Sequence, residues 1–265
     1  MMPVNVTRGS GPIILGMPHV GTGIPVALSG RLNDTGRAVA DTDWWIDRLY
    51  DGLLDDVTVV QARYSRYVID ANRDPSGLSL YPGQNTTGVC PTTTFDGADI
   101  YRIGEQPDDD EIAERIRDFH EPYHAALEEQ IDRVKDRHGL AILYDCHSIR
   151  SDIPHLFDGR LPVFNIGTNG GQTCAPAIEQ AVIAGCSGGE DFDCVVNGRF
   201  RGGWTTRRYG CPVQNVHAIQ LEMAQRAYMD ETPPWTYRPD RADRVRRRLR
   251  HILKRLEEIA LQGIC

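Results

Sequence analysis

Short runs of aliphatic and β-branched residues alternate along the chain with longer stretches in which apolar residues recur every three or four positions. The short runs predict strands over residues 12–17, 57–62, 67–70, 140–145, 163–166, 194–196 and 217–222. The periodic stretches predict helices over 43–54, 109–137 with an interruption near Pro122, 175–184 and 240–261. The first of these shows the logic. Asp41-Thr42 are good capping residues, and Ile46, Leu49, Leu53 and Leu54 follow at helical spacing. Strand-like runs alternating with amphipathic segments are the sequence form of an α/β fold. With no internal repeat and no low-complexity linker, residues 1–265 are expected to form one domain. Two irregular stretches, 74–101 and 197–214, are long enough to read as functional loops.

Composition narrows the classes. The chain has 265 residues, 40% hydrophobic and 25% charged, which is ordinary for a globular protein. At that length a chain buries roughly three-quarters of its unfolded surface, so no staples are needed. Apolar runs fall far short of the ~20 residues that span a bilayer. The segment MMPVNVTRGSGP lacks the apolar stretch of a signal peptide. A soluble, cytoplasmic protein with no membrane role is the expectation. The net charge of −8 opposes nucleic-acid binding as the global function. Seven cysteines, at 90, 146, 174, 186, 194, 211 and 265, form no C-x-x-C pair. They read as reduced packing thiols, not as a disulfide framework or a four-cysteine zinc site.

Several predicted strands run directly into reactive side chains. Met17 leads into Pro18-His19, Val68-Ile69 into Asp70-Ala71-Asn72-Arg73, Leu143-Tyr144 into Asp145-Cys146-His147, and Leu221 into Glu222. Open α/β sheets bind ligands beyond the carboxyl ends of their strands. Four such ends would gather two imidazoles, several carboxylates and an arginine. Two His and a carboxylate around an open position make a recurring catalytic zinc site. His19 and His147 are the candidate imidazoles. Asp43, at the first turn of the predicted helix, is a candidate oxygen ligand, and Asp41 and Asp47 serve equally on chemistry alone. Asp145 shares the strand face of His147 and is placed to accept the N–H of a metal-bound imidazole. Glu222 closes an apolar run, where an acid is costly without a task or a partner. It is the candidate base, with an ion pair to an arginine of 197–214 as the bland alternative. Arg73 is a candidate to grip a carboxylate in two-pronged fashion.

Three other features compete. His120-Glu121-Pro122-Tyr123-His124 has the letters of the helical H-E-x-x-H zinc signature. Pro122 disfavours the unbroken helix which that signature needs, so a helix junction is expected there, with His124 lining the pocket. Ser148 follows His147, but no G-x-S-x-G elbow surrounds it. The segment 238–255 carries eight Arg and one Lys. Its apolar stripe of Val245, Leu249, Ile252, Leu256 and Ile259 favours a docked helix with a solvated basic face.

A set of strings spanning nearly the whole chain resembles the N-formylglutamate amidohydrolase family of histidine degradation. They are PHVGTGIP (18–25), DTDWWIDRLY (41–50), ARYSRYVIDANRDPSG (62–77), SLYPGQNTTGVCPTTTFDG (79–97), PYHAAL (122–127), DCHSIRS (145–151), NIGTNGG (165–171), NGRFRGGWTTRRYG (197–210) and QLEMAQRAYMDE (220–231). The resemblance implies a three-layer α/β/α fold with a mixed central sheet, related to the zinc carboxypeptidases. It implies His19, Asp43 and His147 as ligands of one divalent metal, zinc first, with Co²⁺, Mn²⁺ or Fe²⁺ open. Glu222 falls where that superfamily places its general base, and Asn72-Arg73 resembles the pair that receives a substrate carboxylate. Arg207 and Arg199 are further candidates for the carboxylates. Two departures are Val20, where a small polar residue is expected, and Arg201, where Lys is usual. The implied reaction is hydrolysis of N-formyl-L-glutamate, a small anionic substrate, with no obligatory protein partner. Two alternatives stand beside it. One is a metal-dependent deacylase or carboxypeptidase acting on another N-acyl amino acid or peptide; the other is a non-enzymatic binding protein using the basic C-terminal helix.

Overall fold

The computed structural model describes residues 2–80, 83–187 and 192–263, which leaves Cys265 and part of the 79–97 string outside the description. Among the described residues the strands are β1 (Val4–Thr7), β2 (Ile13–Met17), β3 (Thr58–Ala62), β4 (Ala141–Ile149), β5 (Phe164–Gly167), β6 (Cys194–Val196) and β7 (Val216–Ala224). They form one sheet in the order β1-β3-β2-β4-β7-β5-β6. The central run β3-β2-β4-β7 is parallel throughout. β1 and β5 run antiparallel to their inner neighbours, and β6 pairs parallel with β5. The helices are α1 (Val26–Ser29), α2 (Asp34–Arg37), α3 (Ile46–Tyr50), α4 (Asp109–Arg115), α5 (Glu121–His138), α6 (Pro176–Cys186), α7 (Trp204–Tyr209) and α8 (Pro239–Gln262). A π-helical turn, Ile116–His120, joins α4 to α5.

Strand alternation assigns the layers. Ile13, Leu15, Ile142, Tyr144, Ile219 and Leu221 point to one face and pack on Leu49 of α3, Ile178 and Val182 of α6, and Val245, Leu249 and Ile252 of α8. Ile14, Leu143 and Ala218 point to the other and meet Tyr123, Leu127, Ile131 and Val134 of α5. The result is the expected three-layer α/β/α fold with a mixed central sheet. All nine residues of β4 and all nine of β7 are buried, as parallel strands covered on both faces must be. That burial is why these strands read as apolar runs. It is also why Asp145, His147, Gln220 and Glu222 stand out within them.

The topology supplies a crevice. The chain leaves β2 to build β3 on one side, while β4 lies against the other side of β2. Where strand order reverses in this way, the connections diverge and a gap opens at the carboxyl ends.

Three expectations are corrected. Residues 67–70 are a buried turn and not a strand: the Val68 N–H donates to the Ser65 carbonyl (2.8 Å) and the Tyr67 N–H to Ser65 Oγ (3.2 Å). The run is apolar because Tyr67 and Val68 fill a satellite core with Leu28, Leu32, Ile100 and Tyr101. The helix expected over 43–54 is only Ile46–Tyr50, entered through Trp45 at φ 64°, so Asp43 lies in the preceding loop and not in a first helical turn. Strand β1 escaped prediction because its four residues, Val-Asn-Val-Thr, sit on a largely exposed edge. No helix among the described residues is long and apolar enough to cross a membrane.

Candidate metal centre and active site

His19 follows β2 by two residues, and His147 lies inside β4, which runs on to Ile149. Asp43 is drawn between them by its own backbone, whose N–H donates to the His19 carbonyl (3.0 Å). One Asp43 oxygen, Oδ2, then stands 3.2 Å from His147 Nδ1 and 3.7 Å from His19 Nδ1. The ligand atoms of these three residues all lie within 4.8 Å of one another, and all three side chains are buried. The other two candidate carboxylates lie outside this cluster. Asp41 Oδ2 accepts from the Tyr67 hydroxyl (2.7 Å) and the Phe95 N–H (2.8 Å), while Asp47 is exposed.

The far side of each imidazole is also held. His19 Nε2 lies 2.7 Å from Asp70 Oδ1, with Nδ1 turned to the Asp43 side. His147 Nε2 stands 3.1 Å from Asp145 Oδ1, on the same strand face two residues earlier. It is also 3.1 Å from the Asn72 amide nitrogen. Asp145 is fixed in turn by the Thr206 hydroxyl, which donates to Oδ2 (3.1 Å). His19 Nδ1 and Asp43 Oδ1 are buried with no hydrogen-bond partner in the protein. Two nitrogens and a carboxylate whose candidate ligand atoms converge, the unpartnered His19 Nδ1 among them, fit a divalent cation.

Around this cluster the charges are coupled. Burial opposes ionisation of Asp70, but Arg66, Arg73 and His19 overcome it and hold the carboxyl well below the usual range. Burial likewise opposes ionisation of Asp43, and the two imidazoles beside it reverse the effect. Burial disfavours charge on His147, whereas Asp145, Asp43 and Glu222 together raise its pKa well above that of a free imidazole. Glu222 is paired in register with His147 on the adjacent parallel strand. Burial pushes its carboxyl up to about 7 against the opposing pull of His147. The Gln220 amide donates to Glu222 Oε2 (3.1 Å).

These groups open into a cleft lined among others by His19, His147, Glu222, Arg66, Asn72, Arg73, Asn85, Thr87, Arg199 and Phe200. Arg73 reaches it with Nε donating to the Thr87 carbonyl (2.9 Å), and Arg199 with Nη2 donating to the Asn85 carbonyl (3.1 Å). Arg207 does not line it; its Nε donates to the Gly202 carbonyl (2.9 Å). Asn72 is pinned, its Oδ1 accepting from the Thr205 N–H (2.9 Å). Gly203 is required beside it, since a Cβ there would fall 2.3 Å from the Asn72 amide nitrogen.

His120 and His124 stand apart from the metal cluster, and His124 does not line the cleft as expected. Each imidazole is already spent on a backbone carbonyl, as described below. Sequence reasoning missed Arg66 and gave Asp70 no role. Arg66 Nη2 donates to Asp70 Oδ2 (2.6 Å), and Nη1 lies 3.7 Å from Asp43 Oδ1. The available signal was two opposite charges four residues apart, enclosing the apolar run Tyr67-Val68-Ile69.

The family model for N-formylglutamate amidohydrolase matches residues 11–229 of this chain. The chain belongs to the N-formylglutamate amidohydrolase family. Two curated relatives agree. It is 46% identical over 250 residues to the N-formylglutamate deformylase of Pseudomonas aeruginosa, covering 94% of each protein. It is 42% identical to that of Pseudomonas putida, covering 94% of this chain and 93% of the relative. The crystal structure of N-formylglutamate amidohydrolase from Ralstonia eutropha JMP134 superposes with a TM-score of 0.82 at 23% identity, covering all of both chains. At that identity the superposition shows a shared fold. Across the family match, residues 11–229 include every one of the nine candidate site residues.

Proposed function

We propose that this protein hydrolyses N-formyl-L-glutamate to formate and L-glutamate, using one divalent cation, zinc by preference. Membership of the family and the names of its two curated relatives support the substrate. The observation that carries the chemistry is the pairing of Glu222 with His147 across β4 and β7, beside the unpartnered His19 Nδ1 and the Asp43 carboxylate.

His19 Nδ1, Asp43 and His147 Nδ1 would hold the cation, and it would supply Lewis acidity to the formyl oxygen and to water. Two nitrogens and an oxygen suit zinc first and also accept cobalt, manganese or iron. Asp70 and Asp145 keep the imidazoles oriented from behind. Glu222 takes a proton from the attacking water as its oxygen bonds to the formyl carbon. When the C–N bond breaks, the same carboxyl passes that proton to the departing nitrogen, giving formic acid and the amine, which become formate and the ammonium form as the acid's proton moves to the amine. Burial raises this carboxyl above the usual carboxylate range, which suits a group that must both accept and return a proton. Arg73 and Arg199 grip the two carboxylates of the substrate. Their cationic cleft reconciles an anionic substrate with a protein of net charge −8.

The direct test is formate release from N-formyl-L-glutamate by wild type and Glu222→Gln, each loaded with zinc. The Gln variant should lose roughly 10²–10⁴-fold in kcat while zinc content is unchanged. A near-normal rate would remove Glu222 from the role of base. N-acetyl, formimino and aspartate analogues in the same assay separate the deformylase from a broader deacylase.

A further inference from the structure

The H-E-x-x-H string is absorbed neither by the metal cluster nor by the cleft, yet both imidazoles are buried. Their Nε2 atoms point at the same short stretch of chain. His124 Nε2 lies 2.7 Å from the Ala71 carbonyl, and His120 Nε2 lies 3.0 Å from the Arg73 carbonyl. The rings are 4.4 Å apart, centroid to centroid. The Tyr209 hydroxyl stands 3.1 Å from His124 Nδ1, on the side opposite the carbonyl. Trp204 packs against both rings, at 5.2 and 4.5 Å.

A π-helical turn leads into this pair. Pro122 has no N–H to give, and the chain widens ahead of it, with the Glu121 N–H bonding back to the Ile116 carbonyl five residues earlier. Helical spacing of four then stacks His120 and His124 on one face. Here the two imidazoles reach two carbonyls two residues apart.

The gripped segment carries the site's supports. Asp70 orients His19, Asn72 contacts His147, and Arg73 enters the cleft. We propose that His120 and His124 are a two-point clasp, positioning residues that set where Asp70, Asn72 and Arg73 stand. This rests on the reading of the metal centre and substrate given above. The two points act differently. The Ala71 carbonyl lies between the residues that steady the two imidazole ligands. The Arg73 carbonyl belongs to the residue assigned to substrate.

The test uses the full chain with His120→Leu, His124→Leu and the corresponding Gln variants, which keep an amide donor. Zinc affinity is read by chelator competition, and KM and kcat from formate release. His124→Leu should weaken zinc roughly tenfold, the lower range for loss of an outer support. His120→Leu should raise KM roughly tenfold with zinc affinity within twofold of wild type. The Gln variants should recover most of each loss. Folded Leu variants with wild-type zinc affinity and KM would overturn the clasp, and so would losses that merely follow melting temperature in both. If the Leu variants do not fold, long-range ¹⁵N–¹H spectra of wild type decide. Both rings must be neutral Nε2–H tautomers at pH 7, and an Nδ1–H tautomer in either would refute the assignment. Should wild type release no formate, the substrate reading fails, while the zinc and tautomer measurements still judge the clasp.

Discussion

His124 shows how a single side chain can be buried at a cost that appears only in acid. Burial, the neighbouring His120 and Arg208 lower its pKa to about 3, against the opposing pull of the Ala71 carbonyl. An unfolded imidazole titrates near 6.5. Between those values the unfolded chain binds the proton and the folded one does not, so stability falls as pH drops from about 6.5 toward 3. The slope attributable to this one residue is at most about 1.4 kcal/mol per pH unit. Urea midpoints at pH 7, 6 and 5 should therefore fall more steeply for wild type than for His124→Gln. Equal slopes would mean that the ring takes up its proton as readily in the folded state as in the unfolded chain. At this scale the sequence was a good guide to which polar residues the fold buries together and a poorer one to their contacts. His19, His147, Asp145 and Glu222 were legible because polar groups inside or just after apolar runs are rare. Arg66 was not, because an arginine next to a tyrosine in an irregular stretch looks like any solvated cation until its partner Asp70 is seen to be buried.

Elements were legible where packing and local pattern agreed. β2, β4, β7 and α8 are apolar on the faces they bury, and their predicted bounds fall within a few residues of those observed. The failures share one cause, which is that apolar character reports burial and not hydrogen bonding. Residues 67–70 are buried and unpaired; β1 is paired and exposed. The basic face of α8 also changes meaning. Arg246 Nη1 and Nη2 donate to the carbonyls of Arg48 (2.9 Å), Leu49 (2.7 Å) and Asp51 (2.7 Å), closing the carboxyl end of α3. Arg248 donates to Ser187 just past α6, and Arg241 to the Arg226 and Met229 carbonyls. The arginines thus satisfy helix and loop ends that would otherwise need other donors. Replacing Arg246 with Ala should lower stability by about 1–2 kcal/mol, with kcat unchanged, as read from urea midpoints and formate release. A variant as stable as wild type would return these cations to the role of a free surface.

The whole molecule concentrates negative charge at one end of its sheet. Asp41, Asp43, Asp70, Asp145 and Glu222 are all buried there, with Arg66 buried among them and the half-buried Arg73 and Arg150 reaching Asp70 and Asp41. Buried acids without matching cations are expensive, and the imidazoles of His19 and His147 offset them only when protonated. The fold supports this excess because its topology brings β2, β4 and the Asp43 loop to one crevice, where a bound cation would balance the charge and tie the three segments together. Metal removal should therefore act on the fold as well as on turnover. A ligand present at a thousand times its dissociation constant stabilises by about 4 kcal/mol. For a chain of this size that corresponds to a drop in Tm on the order of 10 °C on chelation, restored by zinc. Asp43→Asn, which removes a charge and weakens the donor set, should melt at nearly the same temperature with and without chelator. If wild type melts identically in both conditions and added zinc shifts nothing, the cluster is not a metal site, and the buried acids must be held by protonation instead.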